Sequence, residues 1–324
     1  MIKDKVLRAR CVSVNKNNWH VKSENEILTC IINNKYKSST FPTVGDYVKV
    51  EKQEYGYTHL ILDIEDRKNA IYRLHNGKNQ IMAANIDIVF VMSSMNDDFN
   101  ISKIERLVII GLQSNSKVIV VLTKSDLVKD TSHYVKTIKE RFPNIDVITV
   151  SSVNKANLEK LKGYWEVGQT AVMLGSSGVG KSSLINALNK DNEIKTGEIR
   201  EKDSKGRHVT TSRSLYTLND GRIIIDEPGI RTTQFIDSSN YIEEIYKDIE
   251  EYSKGCKYKE CNHDNAPGCE VDVALKKGLI SKEQLNNYFK LKKKENRRRT
   301  ITGEADLSKR ENIENLKKFK KRRR

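Results

Sequence analysis

Between Ala171 and Asn189 the chain reads AVMLGSSGVGKSSLINALN. Ala171 to Leu174 form a short apolar run that reads as a buried strand, and Ser183 to Leu188 follows a helical pattern. Between them lie a glycine, four residues and then Gly-Lys-Ser, the pattern of a phosphate-binding loop in its strand–loop–helix setting. Glycines let successive backbone N–H groups curl around a phosphate with no Cβ in the way. The helix N-terminus adds unsatisfied donors and a partial positive charge. The expected phosphate contacts come from Gly175, Ser176, Ser177, Gly178, Val179, Gly180, Lys181, Ser182 and Ser183. Lys181 is expected to reach the β- and γ-phosphates, and the Ser182 hydroxyl to ligate Mg²⁺. A chain carrying this stretch is committed to an α/β core.

With 324 residues there is room for two or three domains. No apolar run approaches membrane-spanning length, and the start, MIKDKVLRAR, lacks the apolar centre of a signal peptide. A cytoplasmic, membrane-free protein is the expectation, and a monomer the default. The formal charge of +15 is unevenly placed: from Lys290 to Arg324 there are sixteen Lys and Arg against five Asp and Glu. Such a cationic end suits a polyanion such as nucleic acid. Of the five cysteines, Cys11 and Cys30 sit among apolar residues and read as small core side chains.

Residues 1–68 read as five short strands, Val6–Val14, Trp19–Lys22, Ile27–Ile32, Tyr47–Glu51 and Thr58–Ile64, separated by turn-formers. Five strands in this length predict a small closed barrel of the oligonucleotide-binding type, a module that often binds RNA. Residues 69–235 alternate strands and helices, the pattern of a sheet covered on both faces. Ile86–Val91 and Val118–Leu122 read as buried strands, and Ser102–Gln113 as a helix with Ser102 as N-cap and Glu105 completing a capping box. Residues 236–324 are expected to be helical and charged around a cysteine cluster.

Three further elements assemble around the phosphate loop. Asp226 ends an apolar strand and is expected to hold Mg²⁺ through water; Gly229 offers a backbone N–H to the γ-phosphate. Thr210 is the expected second hydroxyl on Mg²⁺, with Thr211 as competitor. Base choice rests on Thr123-Lys124-Ser125-Asp126. A strand-end carboxylate accepts from both N1–H and the exocyclic amine of guanine, and adenine offers no such pair. The Lys124 stem is expected over the base, and Ser151-Ser152 near the guanine carbonyl.

Ras-like GTPases carry such motifs in the order phosphate loop, threonine loop, D-x-P-G, N-K-x-D, S-A. Here T-K-S-D (123–126) and S-S (151–152) precede the phosphate loop, G-R-H-V-T-T (206–211) and D-E-P-G (226–229). This rotated order, behind a small barrel and before a Cys/His cluster, resembles the RsgA/YjeQ family of circularly permuted bacterial GTPases. The resemblance implies GTP hydrolysis stimulated by the small ribosomal subunit, a role in late subunit maturation, and rRNA binding. Thr123 departs from the family's Asn, which ties the base to the phosphate loop, so weaker nucleotide affinity is expected. Glu227 replaces the usual Thr and keeps open an ATPase reading with Glu227 as general base. Ile230 stands where Ras-type proteins place a water-orienting glutamine, which predicts slow intrinsic turnover and keeps open an rRNA-binding scaffold reading. His208 is the internal candidate for positioning the attacking water.

Cys256, Cys261, His263 and Cys269 place four soft ligands within fourteen residues. Three thiolates and an imidazole fill a tetrahedral Zn²⁺ shell with protein atoms alone, which predicts one structural zinc.

Overall fold

The computed structural model describes residues 6–15, 18–24, 26–32, 40–56, 58–75, 78–189, 213–226, 242–243, 245–258 and 261–301. Two compact units divide the chain: one comprises Met1–Arg73 with Gln80–Thr233, the other Leu74–Asn79 with Gln234–Arg324.

The first unit opens with strands β1 (Val6–Asn15), β2 (Asn18–Ser23), β3 (Glu26–Ile32), β4 (Tyr47–Glu51) and β5 (Thr58–Ile64). Antiparallel pairs β1–β2, β2–β3 and β4–β5, a parallel β3–β5 pair and a closing β1–β4 pair make a barrel. This is the expected oligonucleotide-binding connectivity, and closure leaves the five strands no free edge among themselves. Ala9, Cys11, Trp19, Val21, Leu28, Cys30, Val48, Val50 and Ile61 fill it, so both early cysteines are core side chains. Gly45 enters β4 at φ +94°, where a Cβ would lie 2.1 Å from the Ala84 carbonyl oxygen, so glycine alone fits. Beside it Asp46, fully buried, takes two 2.7 Å bonds from the Arg67 guanidinium.

A hairpin follows, β6 (Ala70–His75) and β7 (Lys78–Ala84), where the sequence reading expected the alternating pattern to begin. The sequence carries a signal for it: Asn76-Gly77 between two strand-like runs is a dipeptide that favours a two-residue hairpin connection.

The α/β part contains β8 (Ile88–Ser94), α1 (Ile101–Gln113), β9 (Lys117–Thr123), α2 (Ser132–Arg141), β10 (Asp146–Thr149), α3 (Leu158–Lys162), β11 (Thr170–Leu174), α4 (Lys181–Leu188), β12 (Arg213–Thr217) and β13 (Ile223–Asp226). Its strand order is β10-β9-β8-β11-β13-β12, parallel except for β12. The phosphate-loop strand β11 therefore lies centrally, flanked by one strand made earlier in the chain and one made later. β8 and β11 are buried throughout, which is why both read as unbroken apolar runs.

The N-cap of α1 differs from expectation. Asn100 caps it, its side chain accepting the Lys103 N–H at 3.0 Å. Ser102 lies inside the helix, and Glu105 is buried against Arg141 at 2.6 Å instead of reaching back. A buried acid cannot serve a cap in solvent, so the capping-box reading of Ser102 and Glu105 is replaced.

In the second unit the described elements include helices α5 (Lys247–Lys254), α6 (Glu270–Lys276) and α7 (Lys282–Ile301). Tyr246 and Tyr288 pack together, and the Tyr288 hydroxyl donates to Glu250 at 2.9 Å.

Candidate functional site

β11 ends in a sharp turn, and α4 begins at Lys181 with Gly180 as its N-cap at φ +102°. That left-handed conformation is open to glycine at no steric cost. Gly178 shares it at φ +80°. Leu184, Ile185 and Leu188 anchor α4 to the sheet, which fixes where its N-terminus points. Ser177, Gly178, Ser182 and Ser183 stay accessible, while Gly175 and Val179 are buried and Ser176 and Gly180 are intermediate. The Lys181 ammonium lies within the loop, donating to the Gly175 and Ser176 carbonyls at 2.9 and 3.0 Å.

Asp226 closes β13, which pairs with β11 so that Asp226 stands opposite Met173. Burial raises its pKa; Lys181 nearby and a hydrogen bond with Ser182 oppose that rise. Its Oδ1 is buried without a hydrogen-bond partner. An orphaned carboxylate oxygen beside an accessible serine hydroxyl is a donor set that fits a hydrated Mg²⁺. His208, Thr210, Thr211, Glu227, Gly229 and Ile230 lie outside the described residues.

The base-reading segment meets the phosphate loop directly. β9 ends at Thr123, whose hydroxyl donates to the Val179 carbonyl at 2.6 Å, with the Ser93 carbonyl at 3.3 Å. Lys124 then turns the chain at φ +61°, leaving Ser125 half-buried and Asp126 exposed. The Ser125 N–H donates to the Val150 carbonyl, fastening this segment to the end of β10. Ser151 is fully buried; its hydroxyl donates to Asp126 Oδ1 and accepts the Val153 N–H at 3.1 Å. Its own N–H is committed to the Ala156 carbonyl. Ser151 thus orients the carboxylate, a role the residue pattern did not disclose, and Ser152 alone of the pair has its N–H free of that commitment.

In the second unit Cys256, Cys261, His263 and Cys269 bring their ligand atoms within 4.8 Å of one another. Cys256 Sγ lies 3.6 Å from His263 Nδ1 and 3.9 Å from Cys269 Sγ, and His263 Nδ1 lies 3.4 Å from Cys269 Sγ. Ligands 2.0–2.3 Å from a tetrahedral ion stand about 3.5–3.8 Å apart, so the cluster can hold a metal ion. Burial lowers the His263 pKa, keeping the imidazole in its neutral, ligating form, against the pull of Glu250. Burial pushes the Cys269 thiol up to about 11 although it caps α6, accepting the Asp272 N–H. For Cys256 burial also pushes upward, but the N–H groups of Val271 and Glu270 and the neighbouring thiols prevail and lower its pKa.

Residues 64–236 match the family described as RsgA GTPase. A small ribosomal subunit biogenesis GTPase RsgA of Methanosarcina acetivorans is 37% identical over 253 residues, 77% of this chain and 69% of the relative. RsgA 1 of Listeria monocytogenes serovar 1/2a is 34% identical over 289 residues, 88% of this chain and 82% of the relative. The crystal structure of YjeQ from Thermotoga maritima superposes with a TM-score of 0.62 at 26% identity, covering 88% of this chain and 97% of that one. YloQ, described as a circularly permuted GTPase, shares the fold at a TM-score of 0.59 and 20% identity. The family match over residues 64–236 and relatives 34–37% identical over most of the chain show that it belongs to the RsgA GTPase family.

Proposed function

We propose that this protein binds GTP and GDP, hydrolyses GTP to GDP and phosphate, and acts in late maturation of the small ribosomal subunit. Relatives bearing the name small ribosomal subunit biogenesis GTPase support the reading. The observation that carries it is the Thr123–Val179 hydrogen bond, which joins the base-reading segment to the phosphate loop in one rigid corner. In this reading the loop from Gly175 to Ser183 grips the phosphates, and Lys181 neutralises charge on the β,γ-bridge. Asp126, steadied by Ser151, accepts from guanine N1–H and the exocyclic amine, with Lys124, Ser125 and Ser152 around the base. Ser182, Thr210 and Asp226 hold Mg²⁺, which when bound offsets phosphate charge. Gly229 registers the γ-phosphate, and His208 positions water.

The three proposed domains are a barrel (1–68) and a nucleotide domain (69–235), followed by a zinc domain with a basic end (236–324). Barrel and basic end are assigned to rRNA, and Cys256, Cys261, His263 and Cys269 to one structural Zn²⁺. A cytoplasmic monomer is the working state; among the described residues no helix is long and apolar enough to cross a membrane.

Turnover of GTP and ATP by the purified protein, with and without small subunits, tests the reading. Guanine-specific turnover rising at least tenfold with subunits is expected. Tight nucleotide binding with no turnover in either condition would instead favour the scaffold, which Ile230 keeps in play. Equal use of ATP would overturn the guanine assignment. Asp126→Asn should cost roughly 2–3 kcal/mol of GTP affinity and transfer preference to xanthosine nucleotides, whose C2 carbonyl accepts from the amide.

A further inference from the structure

In an isolated nucleotide domain of this topology β12 would be an edge strand. Here it is not. Ser214 of β12 stands opposite Asp226 of β13 on one side and opposite Ser13 of barrel strand β1 on the other. Ser13 in turn faces His20 of β2. The next rung repeats the pattern, with Arg213 opposite Val14 and Val14 opposite Trp19. One continuous sheet of eleven strands therefore runs from β10 through the phosphate-loop strand into the barrel. β1 has an irregularity between Cys11 and Ser13, where the side paired with β4 up to Arg10 passes to β12.

Side chains reinforce the seam at two further points. The Arg213 guanidinium donates to the Ile81 carbonyl of β7 at 3.2 Å. Arg10 of β1, half-buried, donates to Thr170 Oγ1 at the start of β11 at 2.8 Å and to the Asn85 carbonyl at 3.4 Å. The barrel thus grips the start of the phosphate-loop strand and the flank of the strand that presents Asp226.

We infer that β1 positions Asp226 through β12, so that the order of this barrel strand and Mg²⁺-dependent nucleotide binding are linked. Such linkage is reciprocal: whatever loosens β1 weakens binding at the nucleotide site, and bound nucleotide tightens the β1–β12 pairing by the same free energy. The inference rests on the proposed role of Asp226 at the magnesium ion. Ser13, Ser214 and Arg213 act through Asp226 and are positioning residues, since none is assigned to the nucleotide.

Amide hydrogen exchange on the full-length protein, without nucleotide and with Mg²⁺ plus GDP or a non-hydrolysable GTP analogue, tests the link. The expected result is that Ser13, Val14 and residues 213–215 exchange about fivefold more slowly with Mg²⁺-nucleotide, together with the amides of 181–188. Protection at 181–188 with no change at 13–14 would overturn the inference while leaving the nucleotide reading intact. Absence of protection at 181–188 would overturn both. A second measurement uses Arg213→Met. It is expected to weaken nucleotide binding about fivefold more with Mg²⁺ than in chelator, and Arg213→Lys to recover part of the loss. Equal weakening in both conditions would mark a general structural defect and overturn the positioning role. If Arg213→Met does not fold, as judged by its thermal transition, the exchange experiment on the native protein decides.

Discussion

Thr123 joins the base-reading segment to the phosphate loop through a single hydroxyl, where the motif pattern set out above would place an asparagine amide. Its proton goes to the Val179 carbonyl at 2.6 Å, so the tie between base loop and phosphate loop is retained. With its one proton spent there, the hydroxyl has no donor left for the base, and that is the physical source of the weaker affinity expected. Thr123→Val keeps shape and volume but leaves the Val179 carbonyl unpaired in a buried place, a loss of about 1–2 kcal/mol. GDP affinity should fall roughly tenfold, and Thr123→Asn should bind GDP more tightly than the native chain; titration with a fluorescent GDP checks both. Asp226 illustrates the opposite compromise. Burial raises its folded pKa above the unfolded value, so the native state holds the proton to higher pH and stability falls as pH climbs between the two. Asp226→Asn removes that penalty. The nucleotide-free protein should gain about 1 kcal/mol, or roughly 2–4 °C in Tm at pH 7, while Mg²⁺-dependent GTP binding is lost. Calorimetry at pH 7 and at a pH below the ordinary aspartate range should show the gain shrinking at the lower pH.

At the scale of elements, α1 separates two kinds of sequence signal. Its existence follows from apolar spacing, but the cap was assigned two residues too far in, because Ser102 and Glu105 satisfy a local pattern that burial overrides. Asn100→Ala should therefore destabilise by about 1 kcal/mol, with Ser102→Ala close to neutral; urea unfolding of the two variants distinguishes them. The strands of barrel and sheet were legible because each carries its own periodicity, and the residues of T-K-S-D and the phosphate loop because each sits at a strand end. Less legible were features that depend on a distant neighbour. Ser151 looked like a backbone donor until its amide was found bonded to Ala156 and its hydroxyl to Asp126. The β1–β12 pairing joins residues two hundred positions apart, and no local pattern announces such a contact. The β6–β7 hairpin is a different case, since Asn76-Gly77 announced it and the longer alternation beyond masked it.

For the whole molecule, two compact units separate the nucleotide site from the Cys/His cluster. Among its described residues the cluster unit buries Ile242, Tyr246, Ile249, Val271, Ile280, Leu285, Tyr288 and Leu291, and stacks Phe289 on His263. A core of this size gains much from the proposed zinc. Treating the intact protein with a strong chelator should remove one zinc per chain and melt the helicity of residues 245–301, while GDP affinity changes less than threefold. Metal analysis, circular dichroism and nucleotide titration on the same sample give the three readings. Acid should do the same as chelator, since protonating His263 and the thiols withdraws the ligands, although burial holds His263 neutral to a lower pH than a free imidazole.

Strand β11 sits at the centre of its sheet yet is synthesised after β8, β9 and β10. At 5–20 residues per second the ribosome makes the stretch from Ser94 to Thr170 in roughly 4–15 s. For that interval β8, apolar from Ile88 to Met92, must wait with one side of its backbone unpaired. A nascent chain halted before Thr170 should therefore stick to its neighbours or to chaperones, and one carried past Asp226, where β13 covers the other side of β11, should not. The rotated order leaves, during translation, an open flank that the finished sheet does not have.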